Sequence, residues 1–172
     1  GDFDEESTYD LPPPAGAPED AEAETKHVRY FLAEAPDPAF RRSPEHDAVL
    51  MLDQRLLPLE ETYYTFRSVD DVARGIRDMI VRGAPAIGIT AAYGMVLAAH
   101  TKENFAAEMA RAQSLLAATR PTAVNLFWAL KRMAKLVEET ASLSREARIA
   151  RFAQEALDIH REDVAACKTM GV

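Results

Sequence analysis

A chain of 172 residues, 48% hydrophobic and 28% charged, is long enough for one ordinary domain with its own core and too short for two large ones. Its formal charge of −8 is unevenly spread: nine of the 28 acids fall in residues 1–25, which hold no Lys or Arg, and the remaining 19 face all 20 basic residues. The globular part is therefore near neutral, which excludes an electrostatic footprint for a nucleic-acid partner or an anionic membrane surface.

The opening stretch "GDFDEESTYDLPPPAGAPEDAEAET" joins acids to a Pro-Pro-Pro run and small residues. It offers too little apolar surface to offset the ordering of its backbone, so residues 1–26 are expected to be an acidic disordered tail. "HVRYFLA" (27–33), "DAVLMLDQRLLP" (47–58) and "TYYTFRS" (62–68) are rich in branched and aromatic residues and read as strands. The turn "LPLEE" joins the last two, and the proline-rich "EAPDPAFRRSPEHD" is a loop. Residues 27–68 thus form a small antiparallel β region.

From Ser68 the period becomes helical, with Val69, Val72, Ala73, Ile76, Met79 and Ile80 at steps of three and four and a Ser68/Asp71 capping pattern at the start. Gly83 is expected to stop this helix. A second helix follows over about 85–101, and a third over "ENFAAEMARAQSLLAAT", capped by Asn104 or Thr101. "PTAVNLFWALKRMAKLVEETA" makes a fourth, with Val124, Phe127, Trp128, Leu130, Met133, Ala134 and Val137 as its apolar face. "SREARIARFAQEALDIHREDVAACKTMG" makes a fifth. The fold class is α+β, predominantly helical: a small antiparallel sheet followed by a bundle of about five helices over 69–172. The apolar run Ala84–Ala99 stays under the roughly 18 residues wanted for a membrane span.

Among residue types able to do chemistry, the single cysteine, Cys167, rules out an intrachain disulfide framework and a cysteine-based zinc site. Its setting reads as the apolar face of a late helix, where a thiol packs as a small hydrophobe. The acidic N-terminus carries no apolar run of the signal-peptide kind, and the expected location is the cytoplasm. His100 and His160 have no partners at metal-ligand spacing, so no metal site is expected. Asp53, inside an apolar run, pairs with Arg55 or marks a bulge.

"MIVRGAPAIGITAAYG" (79–94) is the strongest local pattern. Pro85 suits a helix start, whose free N–H groups and positive dipole end favour an anion; Gly83 allows close approach, and Arg82 offers a planar fork for phosphate or carboxylate. The same residues equally describe a helix stop beside a helix start, with Arg82 as the cation at a C-terminal dipole. "TRPTAVNLFW" repeats the arrangement, with Arg120 and Pro121 before the fourth helix and Thr119 or Thr122 as its cap. Two arginine-bearing helix mouths can converge on one phosphate.

Taken in order, "LDQRLLP", "IRDMIVRGAPAIGITAAYGMVLAA" and "RPTAVNLFWAL" resemble the N-terminal half of the methylthioribose-1-phosphate isomerase family. Its wider circle includes ribose-1,5-bisphosphate isomerase and the regulatory subunits of eukaryotic translation initiation factor 2B. The resemblance covers residues 28–32 and 49–172. It implies an aldose–ketose isomerase of methionine salvage, working without metal or redox cofactor, with Arg82, Gly83, Ala84 and Arg120 binding a sugar 1-phosphate, and it implies a homodimer. It also places the reactive cysteine and the acid/base aspartate in a following Rossmann-like domain beyond Val172. None of the present residues is expected to be catalytic, Cys167 included, and the chain by itself is expected to be inactive. A 5-deoxyribose-1-phosphate or ribose-1,5-bisphosphate isomerase, or a noncatalytic regulatory protein of the initiation factor 2B kind, are the alternatives.

Overall fold

Residues 6–11, 24–29, 48–102 and 104–170 are described by the computed structural model, in two units, Gly1–Pro38 and Ala39–Val172. In the first, β1 (Glu6–Leu11) pairs antiparallel with β2 (Glu24–Arg29). The expected disordered tail thus carries a strand and part of its partner. Thr, Tyr and Val favour extended backbone, and the register sets Glu6 opposite Arg29 and Tyr9 opposite Lys26. The basic positions that face β1 lie just past the acidic window, where a composition count does not see them. The rest of the expected 27–33 strand and the proline-rich loop lie outside the described residues.

The second unit begins with β3 (Val49–Leu52), which pairs antiparallel with β4 (Tyr63–Phe66), Val49 opposite Phe66 and Leu52 opposite Tyr63. The three predicted strands therefore fall in two separate antiparallel pairs: the first pairs with β1, an unexpected strand, and the other two pair with each other. β3 is also shorter than the 47–58 expected. Asp53 donates its N–H to the Thr62 carbonyl at 2.8 Å, and its own carbonyl accepts from Leu56, so the chain turns well before "LPLEE". Val49 and Phe66 are buried in the helical core, and the hairpin belongs with the helices.

α1 (Val69–Arg77) starts as its sequence predicts: Ser68 Oγ accepts the Asp71 N–H at 3.1 Å and the Asp71 carboxylate accepts the Ser68 N–H, a reciprocal capping box. Its end differs from the expectation. The helix stops at Arg77, Met79 takes a φ of 61°, and the N–H groups of Met79 and Ile80 return to the carbonyls of Ile76 and Gly75. This is the double-bonded C-terminal closure usually built on glycine, here with methionine at the left-handed position. Gly83 is left to begin the next helix.

α2 (Ala84–Ala99) is apolar all round and sits at the centre, in contact with α1, α3 (Phe105–Ala117), α4 (Val124–Glu139) and α5 (Arg145–Met170). Asn104 Oδ1 accepts the Ala107 N–H to cap α3, and Ser144 Oγ accepts the Ala147 N–H at the start of α5. Arg145 Nε donates to the Thr101 carbonyl at 3.3 Å and Nη2 donates to that of His100, supplying the cation that the last turn of α2 lacks. Met95 and Val96, Met109 and Leu116, Leu126 and Met133, and Phe152 fill the core. Each such side chain stabilises the fold by roughly 1.5–3 kcal/mol. The result is a predominantly helical α+β fold.

The buried face of α4 is rotated from the one expected. Leu126, Ala129, Leu130, Met133 and Leu136 turn inward, while Val124, Phe127 and Trp128 are 78%, 43% and 49% exposed. Both faces fit a helical period. The close approach of α2 to α4 selects the inward one: a Cβ on Gly88 would lie 2.8 Å from the Asn125 carbonyl oxygen, so only glycine lets the two starts touch. Cys167 is likewise exposed on α5, not buried on an apolar face, because the last turns of that helix stand clear of the core.

Candidate functional site

Gly83 is the N-cap of α2, with φ 98° and ψ 135°, a conformation that L side chains rarely adopt. Pro85 lies in the first turn, the Gly83 carbonyl accepts the Ile87 N–H at 3.0 Å, no side chain caps the helix and no acid lies in its first turn. Arg82, Gly83, Ala84 and Pro85 are all exposed. The amide and dipole end of α2 is therefore open to solvent.

α4 starts in the same way but not where the sequence suggests. The Ala123 N–H donates to the Arg120 carbonyl at 3.0 Å, closing a turn over 120–123, and Ala123 itself is the N-cap, again with no side-chain cap and no acid in the first turn. Thr119 is buried and its hydroxyl donates to the Leu116 carbonyl at 2.6 Å, so it closes α3 and does not cap α4; Thr122 is exposed on the turn. Arg120 is half-buried beside it.

The Gly88–Asn125 contact brings the two starts together. Next to it opens a cavity of about 360 Å³, walled by Pro85 and Gly88 from α2, Val124, Asn125 and Trp128 from α4, and Glu162 and Asp163 from α5. Arg82 and Arg120 do not line this cavity. They stand on the loops leading into its two helix starts.

Arg82 does not act as the terminal cation of α1, which closes five residues earlier. Its backbone N–H donates to Gln54 Oε1 at 2.7 Å and its Nη2 donates to the Gln54 carbonyl at 2.8 Å. Asp53, fully buried, binds Arg55 through that residue's N–H, Nε and Nη2 at 3.0, 2.9 and 2.7 Å. The Arg55 guanidinium holds the Asp53 carboxyl below the usual carboxylate range, against the opposing push of burial, with a further contribution from the charge of Arg82. Of the two sequence readings of Asp53, the pair with Arg55 is the one found.

On the α5 wall, Arg132 donates Nη1 and Nη2 to Glu162 at 2.5 and 2.8 Å and Nε to Glu155, and its guanidinium lies 5.5 Å from the Trp128 ring centre. That hydrogen bonding keeps Glu162 below its ordinary value and charged. Behind the wall, the Tyr93 hydroxyl meets His160 Nδ1 at 3.1 Å; burial pushes the phenol up to about 12 and the imidazole down. No group of three or more His, Cys, Asp or Glu side chains placed to hold a metal ion occurs among the described residues. No helix among them is long and apolar enough to cross a membrane.

Sequence reasoning missed Gln54, Asn125 and the outward turn of Trp128. Asn125 carries a faint signal, a polar residue in the first turn between Val124 and Leu126. Gln54 carries only its place beside Asp53.

The chain is 47% identical over 121 residues to methylthioribose-1-phosphate isomerase 2 of Pseudothermotoga lettingae, covering 69% of this chain and 35% of that protein. It is also 47% identical over 122 residues to 5-deoxyribose 1-phosphate isomerase of Bacillus cereus, covering 68% and 35%. Among solved structures, 5-methylthioribose 1-phosphate isomerase from Pyrococcus horikoshii superposes with a TM-score of 0.65 at 44% identity, over 70% of this chain and 35% of that one. Subunit delta of translation initiation factor eIF-2B from A. fulgidus gives 0.63 at 34% identity, over 69% and 36%. The chain spans about 35% of the length of the curated relatives it matches. The initiation factor 2 subunit family model matches residues 80–172, from the loop that carries Arg82 through both uncapped helix starts. On that match the chain belongs to the initiation factor 2 subunit family.

Proposed function

We propose that the chain is the substrate-binding N-terminal part of an aldose–ketose isomerase that converts 5-methylthioribose 1-phosphate to 5-methylthioribulose 1-phosphate. Arg82 and the amides after Gly83, with Arg120 at the neighbouring start, hold the phosphate. Ala84 keeps the approach to those amides clear. Glu162 and Asp163, across the cavity, accept from sugar hydroxyls. The reaction moves hydrogen from C2 to C1 and leaves the carbonyl at C2, and the groups that carry it come from outside these residues.

The observation that carries the reading is the pairing of two helix starts, both without cap and without acid, each preceded by an arginine. Exposed N–H groups at a positive dipole end are a ready anion site, and two of them side by side suit a dianion. The names of the relatives supply the sugar. The 5-deoxyribose 1-phosphate relative, equally similar, keeps that sugar as the second substrate; the phosphate end of the site is common to both.

Equilibrium titration of the 172-residue chain with ribose 1-phosphate tests the reading. Each charge-assisted hydrogen bond is worth about 1.5–3 kcal/mol, so Arg82→Ala and Arg120→Ala should each weaken binding by roughly 10- to 100-fold. Binding should occur without turnover. Affinity unchanged in both variants, or full isomerase turnover by this chain alone, would overturn it.

A further inference from the structure

We infer that Gln54 is a positioning residue for Arg82, fixing both the backbone and the guanidinium of the arginine before any ligand arrives. The inference rests on the phosphate role proposed for Arg82 and adds to it a residue that never meets the ligand.

Three bonds from one short turn define the arrangement. The Gln54 N–H donates to the Ile80 carbonyl at 2.9 Å, tying the turn after β3 to the end of α1. The Gln54 side-chain oxygen accepts the Arg82 N–H at 2.7 Å, and the Gln54 carbonyl accepts Arg82 Nη2 at 2.8 Å. The arginine is therefore held at its root and at its tip by a single residue 28 positions earlier. The turn that carries Gln54 is itself fixed on both sides: Asp53 is fully buried, bonded through its N–H to Thr62 and through its carboxylate to Arg55, and Arg55 Nη1 reaches the Asp78 carbonyl at 3.4 Å.

Arg82 is exposed and has four side-chain torsions, so without such an anchor its guanidinium would sweep a wide volume. Only one of the five guanidinium N–H groups is committed to the Gln54 carbonyl, which leaves the fork able to bind an oxyanion. Immobilising a rotamer-rich side chain in advance is worth roughly two- to tenfold in affinity. The side-chain bond to the Arg82 N–H has a second effect. It fixes the peptide immediately before Gly83, and with it the direction in which the following amides of α2 point.

Gln54→Met keeps the length and removes the acceptor; Gln54→Glu keeps an acceptor for the Arg82 N–H. Arg82 amide exchange measured by NMR, thermal unfolding, and titration with ribose 1-phosphate are read on the full chain beside Arg82→Ala. Gln54→Met keeps the backbone carbonyl that holds Arg82 Nη2 and removes only the acceptor of the Arg82 N–H. It should therefore unprotect the Arg82 amide and, by releasing the peptide before Gly83, weaken binding about twofold, with the core melting as before. Gln54→Glu should restore the amide protection. An Arg82 amide equally protected in Gln54→Met, or unchanged affinity in that variant while Arg82→Ala loses binding, would overturn the role of Gln54 alone. Affinity insensitive to Arg82→Ala would overturn the phosphate site, and this inference with it.

Discussion

The helices of this unit begin in two ways. α1, α3 and α5 start on a side-chain cap, Ser68, Asn104 or Ser144, and carry acids in the first turn, Asp70 and Asp71, Glu108, and Glu146 respectively. α2 and α4 start on Gly83 and Ala123, with neither cap nor acid. The capped starts meet part of the need of their own orphan N–H groups and dipoles, and Arg111, bound to Asp70 and Glu108, ties those of α1 and α3 together. The open pair leaves both unsatisfied and meets at Gly88 and Asn125 beside a cavity. The unit thus caps three of its five helix starts and leaves two, those of α2 and α4, open to solvent.

The largest expected effect comes from separating the open pair. Gly88→Ala would place a Cβ against the Asn125 carbonyl, a backbone atom that cannot swing away. The cost should be about 1–3 kcal/mol, read as a melting temperature lower by roughly 3–9 °C, and ribose 1-phosphate binding should weaken with it. A variant that melts like the wild type would show that the contact does not set the geometry.

Making an open start resemble a capped one is the sharper test. Ala123→Asp supplies the missing side-chain acceptor and a charge suited to the dipole. The fold should gain about 0.5–1 kcal/mol while ribose 1-phosphate binding falls roughly tenfold, because the added carboxylate takes the amides and repels the phosphate. Stability and affinity moving in the same direction would break the comparison.

The smallest effects belong to the capped starts. Ser68→Ala should cost about 1 kcal/mol and leave ligand affinity unchanged. Burial pushes the Asp71 carboxyl up, but hydrogen bonds from Ser68 and the Arg67 N–H, together with Arg74, outweigh it and hold the group below the usual carboxylate range. A carboxylate depressed in the folded state stabilises fully above its unfolded value and loses that contribution as pH falls through the folded one. Amide protection at Asp71 should therefore decline below about pH 4, while Ile87 and Leu126, at the acid-free starts, keep theirs. Equal loss at all three would contradict the distinction.

Much of this is written locally in the sequence. The Ser68/Asp71 box, the Asn104 cap and the arginine–proline pairs need only neighbours a few residues away, and each could be read from them. The end of α1 could not, because Met79 occupies a left-handed position for which glycine is the usual signal, and Gly83 stood ready to be taken for it. The inward face of α4 could not either: Val124, Phe127 and Trp128 obey the same period as Leu126, Leu130 and Met133, and only the approach of α2 chooses between them. Gln54 is the extreme case. Its meaning lies in Arg82, 28 residues later, and no pattern around it says so.

Trp128 is the only tryptophan in the chain, and it lies half exposed on the wall of the cavity beside Pro85 and Asn125. The tryptophan fluorescence of the protein therefore originates at the mouth where the two open helices meet. A ligand settling there changes the polarity around that indole, and the change is visible without a label. The molecule carries its own optical probe on the wall of that cavity.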